Sequence, residues 1–456
     1  MGGIVIIQGS RATVEIGDMA FGGAGIGRIN KQVVFVPFAI PGDVLEVRIL
    51  SAKRNYVTAQ IFGIREPGPG RTQPRCPVFT RCGGCQWQML DYPHQLQEKK
   101  RMLLGIIRHH GGVQDPVIHE PLPSPDPWHY RAKMQTVVGR DDNDRLALGF
   151  YAHASHRLVP VSTCPISHEA NNLALDAALL IFQDMGWDPY DEVSGSGLAR
   201  HLISRVSVAA GKLTVMPVLT KGTPDLEKVV SRFAERLEAL AAVFLNINGN
   251  PGNVVIGPET RLLRGEEGLT ETVRHVRLSF GPVSFFQVNP GILGKVADLV
   301  AQKACLSGTE HLLDLYCGVG TFSLFLSSSA KRVTGLDVSE EAVSFARKNA
   351  HHNGIQNARF YAGSVEKRLP SLIEKVGTAQ VALVDPPRSG CDDAVIAALA
   401  RTRVERVLYL SCNPVTLARD VRRFSLSGYR LSDLTPLDFF PQTAHLEVLA
   451  TLVFVK

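Results

Sequence analysis

His311-Leu312-Leu313-Asp314-Leu315-Tyr316-Cys317-Gly318-Val319-Gly320-Thr321 is an apolar run that stops in a glycine turn. Its length suits a strand, and the residues from 321 to 328 suit a helix, so the stretch predicts a strand, a tight turn and a helix start. Glycines in such a turn let the backbone approach a ligand closely. The alternation continues, with strands expected at 332–336, 381–384, 406–409 and 447–454 and a helix at 339–351. Strands alternating with helices build a parallel sheet covered on both faces, so the class is α/β and doubly wound, from residue 276 to 456. Ligands of such a sheet bind outside the carboxyl ends of its strands.

Asp337 narrows the ligand. It closes the next strand, 23 residues after Asp314, where an acidic side chain meets ribose hydroxyls in doubly wound folds. A dinucleotide fingerprint would need Gly-x-Gly-x-x-Gly, and Cys317-Gly318-Val319-Gly320-Thr321-Phe322 departs from it. The pattern resembles the S-adenosylmethionine site of class I methyltransferases rather than a NAD site.

The same sheet edge carries a nucleophile. Tyr409-Leu410-Ser411-Cys412-Asn413-Pro414 reads as a strand ending in a loop, with Pro414 helping to start a helix near Thr416. A cysteine there, facing a helix amino terminus, gains thiolate character from the dipole and backbone donors. The plain alternative is a small buried apolar residue. Val381-Ala382-Leu383-Val384-Asp385-Pro386-Pro387-Arg388 is a strand ending in an Asp-Pro-Pro turn, a pattern that in methyltransferases of nucleic-acid bases lies beside the flipped base.

Four motifs together, Phe285-Phe286-Gln287-Val288-Asn289-Pro290, Asp385-Pro386-Pro387-Arg388, Ser411-Cys412-Asn413-Pro414 and Phe440-Pro441-Gln442-Thr443-Ala444-His445-Leu446-Glu447, resemble the RNA 5-methyluridine methyltransferase family, in the family's order. The resemblance implies a class I methyltransferase domain that uses S-adenosylmethionine to methylate carbon 5 of a uridine. It makes Cys412 the covalent nucleophile toward carbon 6 and Glu447 the general base. Carried over position by position, Gln287, Tyr316, Asp337 and Asp385 contact S-adenosylmethionine, as do Thr321 and Ser364 at places where relatives have Asn, and Arg388 holds the substrate. The implied partner is RNA, 23S ribosomal RNA first and the T-loop of transfer RNA as the alternative.

Elsewhere the chain reads as two further domains, 1–66 and 67–275. Short strands at 5–7, 12–16, 32–36, 43–50 and 56–61, punctuated by glycines, predict a small half-buried barrel of the oligonucleotide-binding type. It resembles the TRAM domain, an RNA-binding barrel, with Arg11, Arg28, Lys31, Lys53 and Arg54 set to face phosphates. Phe21, Phe35 and Tyr56 are expected in its core rather than stacked on bases. Glu66-Pro67-Gly68-Pro69-Gly70 ends it. The middle region is mixed α+β, with helices expected at 92–110 and 224–241 and strands at 132–138 and 213–219.

Composition fits three folded domains. The chain has 456 residues, 45% hydrophobic and 20% charged, which is globular and not disordered composition. A net charge of +6 permits a polyanionic partner without demanding one. No apolar run approaches the ~20 residues that cross a bilayer, so a cytoplasmic monomer is expected.

Eight cysteines without an export signal suggest metal or catalysis rather than disulfides. Cys76, Cys82 and Cys85, with the distant Cys164, offer four thiolates, and spacing alone leaves zinc and an iron–sulfur cluster open. The family resemblance implies a 4Fe-4S cluster. A radical enzyme would use Cys-x3-Cys-x2-Cys; here the spacing is x5 and x2, and a fourth cysteine closes the set. A non-catalytic RNA-binding module is the remaining alternative, and the joint presence of Cys412 and Glu447 weighs against it.

Overall fold

A computed structural model describes residues 7–223 and 225–455. The amino-terminal barrel is closed by five strands: Arg11–Met19, Gly25–Ile29, Gln32–Val36, Val44–Ala52 and Tyr56–Glu66. Alternate residues such as Val14, Ile16, Leu45, Val47 and Ile49 point inward and make its core. The strand Gly25–Ile29 falls where the glycines read as turn punctuation; it pairs with both Arg11–Met19 and Gln32–Val36. Of the strand expected at 5–7, residues 5 and 6 lie outside the described residues, and Ile7 is not in a strand.

The middle region holds a seven-stranded mixed sheet in the spatial order Glu259–Gly265, Leu240–Ile247, Lys212–Leu219, Ala199–Ser207, Lys133–Arg140, Leu146–Tyr151 and Leu158–Pro160. Helices Glu169–Asp184 and Leu226–Arg236 pack on one face around Phe182, Phe233 and Trp187. The helix expected at 224–241 is a correction: it ends at Arg236, and the apolar tail that seemed to continue it becomes the strand Leu240–Ile247. Helical periodicity and a short apolar run look alike where they meet. The helix expected at 92–110 is Tyr92–Ile106, capped by Asp91, followed by one π turn over Ile107–Gly111.

The carboxy-terminal sheet also has seven strands, ordered Ala358–Ala362, Arg332–Asp337, His311–Leu315, Val381–Val384, Arg406–Ser411, Glu447–Phe454 and Tyr429–Leu437. The first five run parallel, Glu447–Phe454 runs antiparallel to them, and Tyr429–Leu437 pairs antiparallel with Glu447–Phe454 and so shares the direction of the first five. The chain moves outward from His311–Leu315 and then returns to Val381–Val384 on its other side, so the order reverses between those two strands. Such a reversal opens a crevice at their carboxyl ends. Both faces are covered, giving one apolar core around Val296, Phe286 and Leu383 and another around Leu369, Tyr409 and Val421.

Hairpin Leu269–Val273 with Val276–Phe280 belongs to the first of these cores, and a boundary at 275/276 falls between its strands. Leu103 and Ile107 pack into the second core, and Ile118 and Leu122 bridge to the edge strand Tyr429–Leu437. The chain around 92–122 therefore lies against the carboxy-terminal sheet.

Candidate active site

Three carboxylates stand at the crevice. Asp314 is buried inside the strand His311–Leu315, where it accepts from the Ser323 amide at 3.0 Å and the Ser323 hydroxyl at 2.6 Å. Burial, with Asp337 nearby, pushes its carboxyl up to about 7 against those bonds. Asp337 ends its strand and accepts from the Gly318 amide at 2.9 Å and the Ser339 amide at 2.8 Å. Asp385 follows Val381–Val384; burial first, then the fields of Asp314 and Asp337, push it up to about 7 as well. Such an edge attracts a cation, because each acid raises the cost of ionising the others.

The turn beneath them is shaped by sterics. Gly320 has φ of +86°, and a Cβ there would meet the Phe360 ring at 3.2 Å, so the helix Thr321–Leu326 starts from a residue that only glycine fills easily. Tyr316 also has positive φ, +65°, and its hydroxyl donates to Glu366 at 2.8 Å. Ser364 donates to the other oxygen of Glu366 at 2.7 Å and accepts from the Lys367 amide as the cap of helix Val365–Val376. Glu366 thus joins two residues singled out from the sequence while not being singled out itself. Its signal was its place in the first turn of a helix that starts at the sheet edge.

Cys412 and Glu447 are brought together by register. Ser411 pairs with Val448 across antiparallel strands, so Cys412 follows the last paired residue of one strand where Glu447 opens the other, and the Glu447 carboxyl acts electrostatically on the thiol. Desolvation holds the Glu447 carboxyl well above its usual range; Asp385 adds to this, while Arg388 and Lys99 oppose it. The Cys412 thiol is also pushed up, by burial first and then by Glu447 and Asp385, against Arg388. Burial first, and the two carboxyl groups second, act against the thiolate stabilisation expected from the helix Pro414–Leu426. Arg388 is exposed, and its carbonyl accepts from Asn413 at 3.2 Å and Thr416 at 3.3 Å, which ties the Asp-Pro-Pro turn to the cysteine loop. Gln287 is half-buried in the loop before helix Pro290–Ala304, and its side chain forms no hydrogen bond among the described residues.

Cys76, Cys82, Cys85 and Cys164 line one cavity of about 450 Å³, whose other wall includes Arg388 and His445. All eight cysteines are free. Burial pushes Cys82, Cys85 and Cys164 up, Cys85 to about 12, and each is raised further by others of the set. The Gly84 amide donates to Cys82 Sγ at 3.4 Å, and a Cβ on Gly83 would stand 3.0 Å from the Tyr151 carbonyl. Among the described residues no group of three or more His, Cys, Asp or Glu side chains closes to metal-binding geometry. Four mutually repelling soft donors on one small wall are nonetheless a donor set suited to a thiophilic metal.

The barrel presents Arg11, Arg28, Lys31, Lys53 and Arg54 to solvent. Phe21 and Tyr56 are exposed and Phe35 is half-buried against Tyr56, so the expectation of core aromatics is corrected. A small barrel fills its interior with aliphatic residues and leaves these rings outside. No helix among the described residues is long and apolar enough to cross a membrane.

A parallel sheet with its crevice lined by acids, a glycine turn and a cysteine–glutamate pair defines a class I methyltransferase domain, here joined to an amino-terminal barrel and a mixed central sheet. Comparison with known proteins agrees. Residues 266–453 match the tRNA (uracil-5-)-methyltransferase family and residues 7–62 match the TRAM domain. An uncharacterized RNA methyltransferase of Gloeobacter violaceus is 38% identical over 98% of this chain and 97% of its own length. One from Halalkalibacterium halodurans is 34% identical over 96% of each chain. The solved tRNA (uracil-54, C5)-methyltransferase of Pyrococcus abyssi, in complex with S-adenosyl-L-homocysteine, is 26% identical with a TM-score of 0.77, covering 96% of this chain and 99% of that one. The chain belongs to the RNA (uracil-5-)-methyltransferase family, in the form that carries a TRAM domain, and is an enzyme of that class.

Proposed function

We propose that the protein transfers a methyl group from S-adenosylmethionine to carbon 5 of a uridine in RNA through a covalent Cys412 adduct. The observation that carries this reading is the adjacency of Cys412 and Glu447, next to the paired Ser411 and Val448, at the edge where Asp314, Asp337 and Asp385 converge. S-adenosylmethionine supplies a methyl group on a cationic sulfonium, which a carboxylate-rich crevice favours electrostatically. Tyr316, Asp337 and Asp385 are the residues to hold it, with Gln287, Thr321 and Ser364 at the margin.

Cys412, once its thiol proton has been lost to solvent, adds as the thiolate to carbon 6 of the ring, the carbon 5–carbon 6 double bond opens, and the negative charge spreads onto the carbonyl oxygen at carbon 4. Arg388 stands where it can meet that charge or the substrate. Carbon 5, now nucleophilic, takes the methyl group as the methyl–sulfur bond breaks. Glu447 removes the proton left on carbon 5, the double bond re-forms, and the Cys412 thiolate leaves. A carboxylate whose affinity for protons is raised by desolvation suits that last step.

Cys76, Cys82, Cys85 and Cys164 are proposed to hold a 4Fe-4S cluster, which would knit the loop 76–85 to the central sheet; no step of the transfer runs through it. The barrel's basic and aromatic exterior supports RNA as the partner. Our first reading of the target is 23S ribosomal RNA; the likeness to a tRNA uracil-54 enzyme favours transfer RNA as the second. Mass mapping of both RNAs from a strain lacking the gene decides: loss of one 5-methyluridine in 23S RNA supports the first, loss in the T-loop the second. Loss in neither contradicts the substrate class.

A further inference from the structure

Helix Tyr92–Ile106 buries a lysine, a residue that interiors rarely hold unpaired. The Lys99 side chain is 1% exposed and donates to Asp438 Oδ1 at 2.5 Å, itself 1% exposed, and to the Phe440 carbonyl at 3.0 Å. One turn earlier on the same helix, Gln95 donates to Gln442 Oε1 at 3.0 Å and accepts from the Gln442 amide at 2.8 Å. Its amide also donates to the Trp87 and Leu90 carbonyls. These bonds grip 438–442, the stretch that joins the edge strand Tyr429–Leu437 to Glu447. Trp87 donates its amide to the Gln442 carbonyl at 3.0 Å, and Tyr130 donates to the Pro441 carbonyl at 3.0 Å.

A buried ion pair seldom outperforms an apolar pair of the same volume in stability. Lys99 is better explained by what its charge and its grip do next to the site. We propose that Lys99 is a positioning residue for the proton-removal step, fixing with Gln95 the loop that delivers Glu447. This rests on the reading of Glu447 as the general base. The charged and titratable groups whose fields act with Glu447 are Asp385 and Arg388 from the turn after Val381–Val384, Cys412 from the loop before Pro414–Leu426, and Lys99 from helix Tyr92–Ile106, whose own partner is Asp438. Without Lys99, Arg388 is the one cation left among them, so a higher pH is needed to keep Glu447 ionised.

Lys99→Met alone would strand Asp438 as a buried unpaired charge, which threatens folding. The test therefore uses Lys99→Met/Asp438→Leu, which removes both charges at similar volume, beside Lys99→Arg, Glu447→Gln and wild type. Single-turnover reactions on substrate RNA measure methylated-adduct formation and product release separately from pH 6 to 9. The double variant is expected to form adduct at near wild-type rate and to release product about tenfold or more slowly, since general-base efficiency is worth ~10²–10⁴-fold in all. Its release profile should shift to higher pH, with Lys99→Arg restoring most of it. Release unchanged in rate and profile overturns the proposal, as does equal slowing of both steps with no shift. If Glu447→Gln itself releases product at the wild-type rate, the base assignment fails first and takes this proposal with it.

Discussion

The cysteine cavity and the carboxylate edge make an instructive pair. In each, burial pushes several acidic groups up, and neighbours in the same set push them further. They differ in softness and in access. Four sulfurs on loops 76–85 and 164 suit a thiophilic metal, held once; three oxygens at the ends of parallel strands suit a cation that comes and goes with each turnover. Loops can wrap an inorganic object, whereas strand ends place side chains at fixed spacing over a crevice. Cys412 belongs to the second region although it is a cysteine: its neighbours are Glu447, Asp385 and Arg388.

The comparison breaks most visibly at Glu447. Glu447→Gln should slow product release by about 10²–10⁴-fold while methylated adduct accumulates on denaturing gels; release at the wild-type rate would remove the base from the oxygen cluster's duties. Cys85→Ser should come next. It should reduce bound iron and the associated visible absorbance, and lower Tm by several degrees, a 1 kcal/mol loss being worth ~2–4 °C in chains of 150–250 residues. Cys412 should still form adduct in the folded fraction.

A smaller effect sharpens the electrostatic half. Asp314 and Asp385, both pushed up to about 7, hold protons when folded that an unfolded carboxyl releases near pH 4. Their contribution to stability is thus present below about pH 4 and is lost as pH rises through about 7. Cation binding has the opposite sign. S-adenosylmethionine should bind more tightly as pH rises from 6 to 8 in titration calorimetry, and S-adenosylhomocysteine, lacking the sulfonium charge, should change less. Asp385→Asn should flatten the difference and weaken the cation by about tenfold, or 1.4 kcal/mol. The smallest effect lies in the barrel: Lys53→Ala and Arg54→Ala should each reduce the salt dependence of RNA binding by about one phosphate contact.

Much of this was legible in the sequence for physical reasons. The strands Arg332–Asp337, Val381–Val384, Arg406–Ser411 and Glu447–Phe454 are short apolar runs with clear limits, and Asp337, Asp385, Cys412 and Glu447 sit at those limits. Other features were hidden. Gly25–Ile29 is a strand despite its glycines, and Leu240–Ile247 continues a helical pattern too closely to separate. Glu366 and Lys99 matter through partners 50 and 339 residues away. Local periodicity carries no record of such pairings. Lys99 left one trace, a charged residue in register with Gln95 and Met102 on the buried side of its helix. The raised thiol of Cys412 was also invisible, because it depends on burial first and then on the carboxyl groups of Glu447 and Asp385, which other strands bring in.

The most direct test of the account is a covalent trap. Substrate RNA containing 5-fluorouridine has no proton at carbon 5 for Glu447 to remove, so the methylated adduct cannot resolve. With S-adenosylmethionine, wild-type protein should give a denaturation-resistant protein–RNA complex whose mass includes one methyl group and whose RNA is attached at Cys412, and Cys412→Ala should give none. A wild-type enzyme that methylates uridine but forms no such complex, or a complex that persists in Cys412→Ala, would contradict it.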